Sequence, residues 1–427
     1  MSNWRGIRWG IIRRGIIRRG MVIRLGSLAV LGLALAGCGS ERPATGRADV
    51  ADPADGVADG NGSDRSAMPT PDGAALSPGR NASGDASGGD AATVSAVGGA
   101  GPTGVVDLRG VTGDVLEAAI REAAATEGLA ELILEGAAVD DAAMRPLWDH
   151  PTLKRLKTES TRIGDATLAA LAAENRLELL YLLDAPGVTG EGIRELRAMT
   201  RLRNLRLSGT AVDDDTLAAL GGLTNLAALA LQETAVTDDG LGTLVGLTEL
   251  RELSLYGTPI TDRGLATLAE LPRLAKLRLR RTGVTGADAS PLASMSLEEL
   301  ELAETEFDDE GMADVAAIAG LRRLNLWSTR VGDPGVGELA GKASLVWLNL
   351  DNLPGVTDRS LDTIATLAGL EFLHLGKTSV TPGAIPRLAP LERLATLHIS
   401  QLGASEADRR AIRLALSGLE NLVDAGQ

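Results

Sequence analysis

From Leu132 to Ile399 the chain repeats one arrangement of apolar and polar positions twelve times, roughly L-x-x-L-x-L-x-x-T-x-V-x-D-x-x-L-x-x-L-x-x-L. The first strand leucine of each unit falls at Leu132, Leu156, Leu180, Leu205, Leu229, Leu253, Leu277, Leu300, Leu324, Leu348, Leu373 and Leu397, a spacing of 23 to 25 residues. A fixed period of that length marks stacked supersecondary units, not a closed globule. Leu205 and Leu207 alternate with Asn204, Arg206 and Ser208, which predicts a strand with its leucines inward and its polar side chains outward. Seven or eight residues past the strand leucine comes an aliphatic column that includes Val212 and Val236, with Phe307 in its place in one unit. Pairs such as Leu217 and Leu220 then recur at helical spacing. The predicted fold class is α/β, a solenoid with a parallel sheet on one side and short helices on the other. A single unit cannot bury its own apolar face, so stacking decides stability.

Two polar columns accompany the apolar ones. Thr161, Thr210, Thr234, Thr258, Thr282, Thr305, Thr329 and Thr378 stand where the chain leaves the strand, and their hydroxyls are suited to backbone groups of that turn. Asp141, Asp165, Asp214, Asp238, Asp262, Asp309, Asp333 and Asp358 precede the helical stretch. They read as ordinary N-caps rather than as a calcium ladder, which the interruptions at Gly190, Gly286 and Pro382 would disfavour.

The ends differ in kind. Residues 1–37 carry seven arginines and no acids, then an uncharged apolar run from Leu25 to Gly37 that is short for a membrane span, which reads as an export signal. That run closes on Leu35-Ala36-Gly37-Cys38, which resembles the lipobox of bacterial lipoproteins and makes Cys38, the sole cysteine, the expected lipidation site. Acyl chains contribute about 0.8 kcal/mol per buried CH2, so such an anchor would hold the protein at a membrane of the bacterial cell envelope, facing the periplasm or exterior. Met21 offers a second start for a shorter signal, and Gly39 lacks the aspartate that resembles an inner-membrane retention signal. Residues 38–104 are rich in Ala, Gly, Asp, Ser and Pro without periodicity and read as a disordered tether with a reach of about 45 Å. Residues 105–128, with Leu108 taken as one period before Leu132 and a helix from Gly113 to Ala125, read as an N-terminal cap. Residues 129–403 hold the twelve repeats. In the C-terminal cap, 404–427, Ser405 and Asp408 suggest a capping box on a helix to about Ser417, and Leu419 and Leu422 open an unfinished repeat.

Together these residues resemble the leucine-rich repeat family, in particular its cysteine-containing subclass, with threonine where that subclass has cysteine and a T-x-V-T-D phrase matching its I-T-D step. The resemblance covers residues 129–400. It implies a horseshoe with a concave sheet that binds macromolecules, usually proteins.

Without the first 37 residues the chain has 35 basic against 57 acidic residues, a net charge near −22, and such a surface repels phosphate backbones, so nucleic acid is not expected as a partner. The G-x-G-x-x-G at 99–104 lies in the tether, and the calcium-loop-like run from Asp59 has Asp64 where glycine belongs. Zincin, P-loop and nucleophile-elbow motifs are absent. No cofactor and no catalytic residue is expected.

The outward strand positions carry the functional expectation. Five of the seven aromatic residues after position 37, Tyr181, Tyr256, Trp327, Trp347 and Phe372, fall on this one face, the last three on successive strands. Asn349, Asp351, His374 and His398 surround them, so Tyr256, Trp327, Trp347, Asn349, Asp351, Phe372, His374 and His398 form the candidate partner-binding set. Cross-strand stacking alone would also place aromatics together. His374, His398 and Asp351 could form a two-histidine metal site, a reading weaker than binding. A protein partner is expected; the alternative is a glycan or cell-wall partner stacking on the same rings. Lys276, Arg278 and Arg280 face Glu299 and Glu301 at matched levels, which suggests simple cross-strand pairs, though the favoured reading is a solvated, mutually screened surface.

Overall fold

Alternation of inward leucines over one period gives strands that pair only with the units before and after them. The computed structural model describes residues 104–136 and 138–424. Among these, fourteen strands form one parallel sheet in strictly sequential order. They are β1 (Val105–Asp107), β2 (Glu131–Glu135), β3 (Arg155–Glu159), β4 (Leu179–Leu183), β5 (Asn204–Arg206), β6 (Ala228–Ala230) and β7 (Glu252–Ser254). The second half comprises β8 (Lys276–Arg278), β9 (Glu299–Glu301), β10 (Arg323–Asn325), β11 (Trp347–Asn349), β12 (Phe372–His374), β13 (Thr396–His398) and β14 (Asn421–Val423). The register pairs the strand leucines with one another, Leu205 with Leu229 and Leu348 with Leu373, for example. Short α- and 3-10 helices such as Asp262–Leu268 and Leu241–Leu244 return the chain between strands. In the unit around β5, Leu202, Leu205, Leu207, Val212, Leu217, Leu220 and Leu223 are all fully buried. Each unit lays that set on the next, so the apolar core runs the length of the sheet.

The export segment, Cys38, the tether up to residue 103, the Asp59 run and most of the 99–104 glycine motif lie outside the described residues. At the N-terminal end the register pairs Val106, not Leu108, with Leu132. Leu108 sits two residues on, at the second inward level, because the helix Asp114–Ala124 is longer than the internal ones and stretches the first period. At the other end the helix Glu406–Ala415 opens on a Ser405–Asp408 capping box and stops at Leu416, short of Ser417. Leu422 pairs with Leu397 and extends the sheet by β14.

The threonine column closes the turn as the sequence suggests. Thr210, Thr234, Thr258, Thr282, Thr305, Thr329 and Thr378 each donate to the carbonyl three residues back at 2.6–2.8 Å. Thr161 departs from this, its buried hydroxyl having no protein partner. The residue before this threonine matters as well. Four positions past every strand leucine the backbone is left-handed, at Ser160, Asp184, Glu233, Arg281, Glu304, Ser328, Asn352, Lys377 and Gln401 as well as at Gly136, Gly209 and Gly257. A non-glycine residue there costs about 1 kcal/mol or more. The compensation is a ladder bond to the next unit, as from Ser328 N to Asp351 O at 3.1 Å.

The aspartate column is not a set of N-caps. The capping position is usually the residue before it, as at Asp140 and Thr261, and the carboxylate reaches forward into the following unit. Asp238 accepts from Thr261 N at 2.9 Å and Thr261 Oγ1 at 2.6 Å, and Asp358 does the same with Thr381. Asp333 accepts from Thr357 N, Thr357 Oγ1 and Ser360 Oγ at 2.5–2.8 Å. All eight aspartates thus staple one unit to the next. Where the column is interrupted, the following unit caps itself. After Gly190 it does so by the Asp213–Thr216 capping box, after Gly286 by Asp308 accepting from Glu310 N, and after Pro382 by the Ser405–Asp408 box.

Burial raises the Asp333 carboxyl, but the hydrogen bonds from Ser360 and Thr357 outweigh it and hold the pKa below its ordinary value. The stapling is therefore present above the unfolded carboxylate pKa and fades as pH falls through the lower folded one. Asp333→Ala is expected to cost about 2 kcal/mol at pH 7, the range for hydrogen bonds to a charged group, and less at pH 3, as read by urea unfolding at both pH values. Equal costs at the two would remove the ionised staple.

Candidate interaction surface

Parallel strands in register bring residues one period apart side by side, about 5 Å from each other. Trp347 and Phe372 occupy matched positions on β11 and β12, and their rings stack with centroids 4.9 Å apart and planes at 10°. His398 on β13 continues the row, tilted against Phe372 at 5.2 Å and stacked on His374 at 4.6 Å. On the opposite side the Arg323 guanidinium lies 4.8 Å over the Trp347 ring. The resulting row, Arg323–Trp347–Phe372–His398–His374, is half-buried on the solvent face of the sheet. Both faces of the Trp347 indole are covered, so the row presents ring edges and polar rims to solvent.

Trp327 does not join this row. It stands three residues past its strand leucine whereas Trp347 stands one before, a difference of about 13 Å along the strand direction at 3.3 Å per residue. Its neighbour is Arg280, 4.7 Å over the ring, which also lies 5.4 Å from Tyr256. Arg281 donates to Tyr256 Oη at 2.8 Å, which holds the guanidinium charged and raises its pKa. Of the eight expected residues, Tyr256 and Trp327 gather about Arg280, Trp347, Phe372, His374 and His398 belong to the row, and Asn349 and Asp351 adjoin it at His374.

The polar members have local duties too. Asn349 Oδ1 accepts from Asp351 N at 2.9 Å, as Asn325 Oδ1 accepts from Trp327 N at 3.1 Å and His374 Nδ1 from Gly376 N at 3.2 Å. One outward column thus ties down the end of its own strand. An accepting Nδ1 assigns the His374 proton to Nε2. Burial, with His398 and Lys377 nearby, lowers the His374 pKa to about 4, and burial lowers that of His398. Asp351 Oδ1, 3.7 Å from His374 Nδ1, pulls the other way. The Gly376 N–H already occupying Nδ1 makes the neutral ring the one that fits. Among the described residues no group of three or more His, Cys, Asp or Glu side chains could hold a metal ion.

The charged strands differ from the solvated surface that their sequence suggests. Arg278 pairs with Glu299 at 2.8 Å and lies 3.8 Å from Glu301, whereas Lys276 pairs back to Glu252 and Arg280 forward to Glu304. Glu299 is only 6% exposed. Burial raises the Glu301 pKa and lowers that of Arg323, because long neighbours on both sides exclude water. Arg280 and Arg323, which cover the rings, escape a search for aromatic or histidine clusters. Their signal in the sequence is a matched register position one period from Trp327's neighbours and from Trp347.

Residues 293–316 match a family model described as Leucine Rich repeat. No curated protein matches the chain. Among solved structures the chain is similar to an internalin from Listeria monocytogenes at 20% identity and a TM-score of 0.54, over 74% of this chain and 96% of that one. The 24-residue period, the unbroken parallel register and the structural likeness show a leucine-rich repeat fold, with residues 293–316 matching one repeat of that kind.

Proposed function

We propose that the chain is a non-catalytic binding protein, tethered to a membrane of the bacterial cell envelope by lipid on Cys38, that engages a protein partner through the solvent face of β7–β13. The observation that carries the choice of partner is the covered Trp347 ring, with Arg323 on one face and Phe372 on the other. A sugar-stacking platform needs an open ring face. An aromatic row that shows edges, flanked by the polar atoms of Asn349, Asp351, His374 and His398, suits the mixed contacts of a protein hot spot instead.

Trp347→Ala with Phe372→Ala removes the row as a unit and, on this reading, lowers capture of a membrane-extracted protein partner by the full chain at least tenfold, with thermal unfolding confirming that the repeats remain folded. Unchanged capture would mean that the rings serve strand pairing alone. Quenching of tryptophan fluorescence by cell-wall glycan fragments, with no protein captured, would transfer the role to a glycan.

A further inference from the structure

Arg206, the last residue of β5, differs from the other cations on the sheet face. At outward strand positions Arg155, Lys157, Lys276, Arg278, Arg280 and Arg323 each have a carboxylate within 4 Å. Arg206 lies 4.4 Å over the Tyr181 ring, and among the described residues its guanidinium has no carboxylate partner and no protein hydrogen-bond acceptor. The register explains why. Its cross-strand neighbours are Tyr181 on β4 and Ala230 on β6, neither of which carries a charge. Beyond it the outward residues Ala228, Ala230 and Ser254 are small, and Ala230 and Ser254 are 7% and 4% exposed although they face outward. They form a low floor, with the stacked Tyr181–Arg206 pair standing on one side.

A guanidinium fixed by a ring on one side and open on the other keeps its planar fork of N–H donors ready for a planar anion. The chain carries a formal charge of −15, so a single unpaired arginine in a neutral surround favours a monoanion over a dianion such as phosphate, which the body of the protein would repel more strongly. We propose that Arg206, positioned by Tyr181, is a second recognition point on the sheet face that receives the carboxylate of an acidic side chain from a protein partner, whose chain lies over the floor of Ala228, Ala230 and Ser254. It extends the reading of the sheet face as a protein-binding surface, but lies six strands, about 29 Å, from the Trp347 row and stands or falls separately.

The test selects a random peptide library on the full chain. Peptides retained by the native protein are expected to carry Asp or Glu at one fixed position, and changing that acid to its amide should weaken binding at least tenfold. On Arg206→Gln the same change in the peptide should matter less than twofold. Arg206→Lys keeps the charge but not the fork and should lie between. Ala230→Glu places an internal carboxylate across from Arg206 and should abolish the preference with the arginine still in place. Absence of retained peptides, retention without a fixed acid, or a preference that survives both Arg206→Gln and Ala230→Glu would overturn the assignment. The Trp347→Ala, Phe372→Ala protein serves as the separating control. Preference for the acid should persist in it, so loss of the aromatic site and loss of the carboxylate site are read independently.

Discussion

Phe307→Ala is expected to cost about 3–5 kcal/mol, the range for truncating a buried phenylalanine. The ring occupies a column otherwise filled by valine or isoleucine and is fully buried. Two glycines make room for it. A Cβ on Gly311 would meet the Phe307 Cζ at 2.5 Å and the Gly286 Cα at 2.8 Å, and one on Gly286, whose φ is +92°, would meet Phe307 Cε2 at 3.1 Å. Gly286 falls at an aspartate-column position, so the break in the staple there has a steric cause in the following unit. Gly311→Ala alone should cost about 1–3 kcal/mol through overpacking. With Phe307→Val the ring's share of that clash disappears while the approach to Gly286 remains, so the double variant should be less destabilised than the sum of the singles by at least about 0.5 kcal/mol. Because units contact only their neighbours, hydrogen exchange should quicken around β8–β10 and stay unchanged at β2–β4. Additive costs, or a loss of protection spread evenly along the sheet, would contradict this account of Phe307.

The apolar columns were legible because inward leucines have one job, and their period alone puts Leu205 beside Leu229. The polar columns were harder. In a solenoid each residue has neighbours both two or three residues away and about 24 away, and an aspartate followed by threonine at either distance leaves the same trace in the sequence. Asp238 therefore read as a cap of its own helix although its partner is Thr261. The left-handed column escaped notice for a related reason. It holds serine, glutamate, arginine, lysine and asparagine more often than glycine, since a backbone bond to the next unit, not the side chain, selects that conformation. On the outward face, the sequence located the rings but not their partners. Trp327 and Trp347 lie on adjacent strands yet at different levels, and each meets an arginine set one or two units earlier.

Lowering the pH from 6.5 to 4 is expected to remove about 3 kcal/mol of stability through His374 alone. Its folded pKa is about 4 against an ordinary value of 6.5, and each unit of difference corresponds to 1.36 kcal/mol. The sign follows from proton binding. Above pH 6.5 the imidazole is neutral in both states and the full stability is present; between 6.5 and 4 the unfolded chain takes up a proton that the native one does not, so stability falls as pH falls. The neighbouring units provide a control. Asn325 and Asn349 occupy the same column and accept the same backbone N–H, so His374→Asn should keep the strand-end hydrogen bond and lose the titration. The stability difference between the native protein and this variant should then be small at pH 7 and grow to about 3 kcal/mol in the variant's favour near pH 4. Carboxylates that do not touch His374 titrate in both proteins and cancel in the difference. Three groups act on His374 directly: Lys377 and His398 oppose its protonation, and Asp351, 3.7 Å from Nδ1, favours it. If Asp351 prevailed, the difference would run the other way, with the native protein gaining on the variant as pH falls. A flat difference would show that His374 has the same pKa folded and unfolded. The expected outcome keeps the His374 ring neutral from pH 7 down past pH 5, and a partner would meet there a neutral Nε2–H donor beside an aromatic edge.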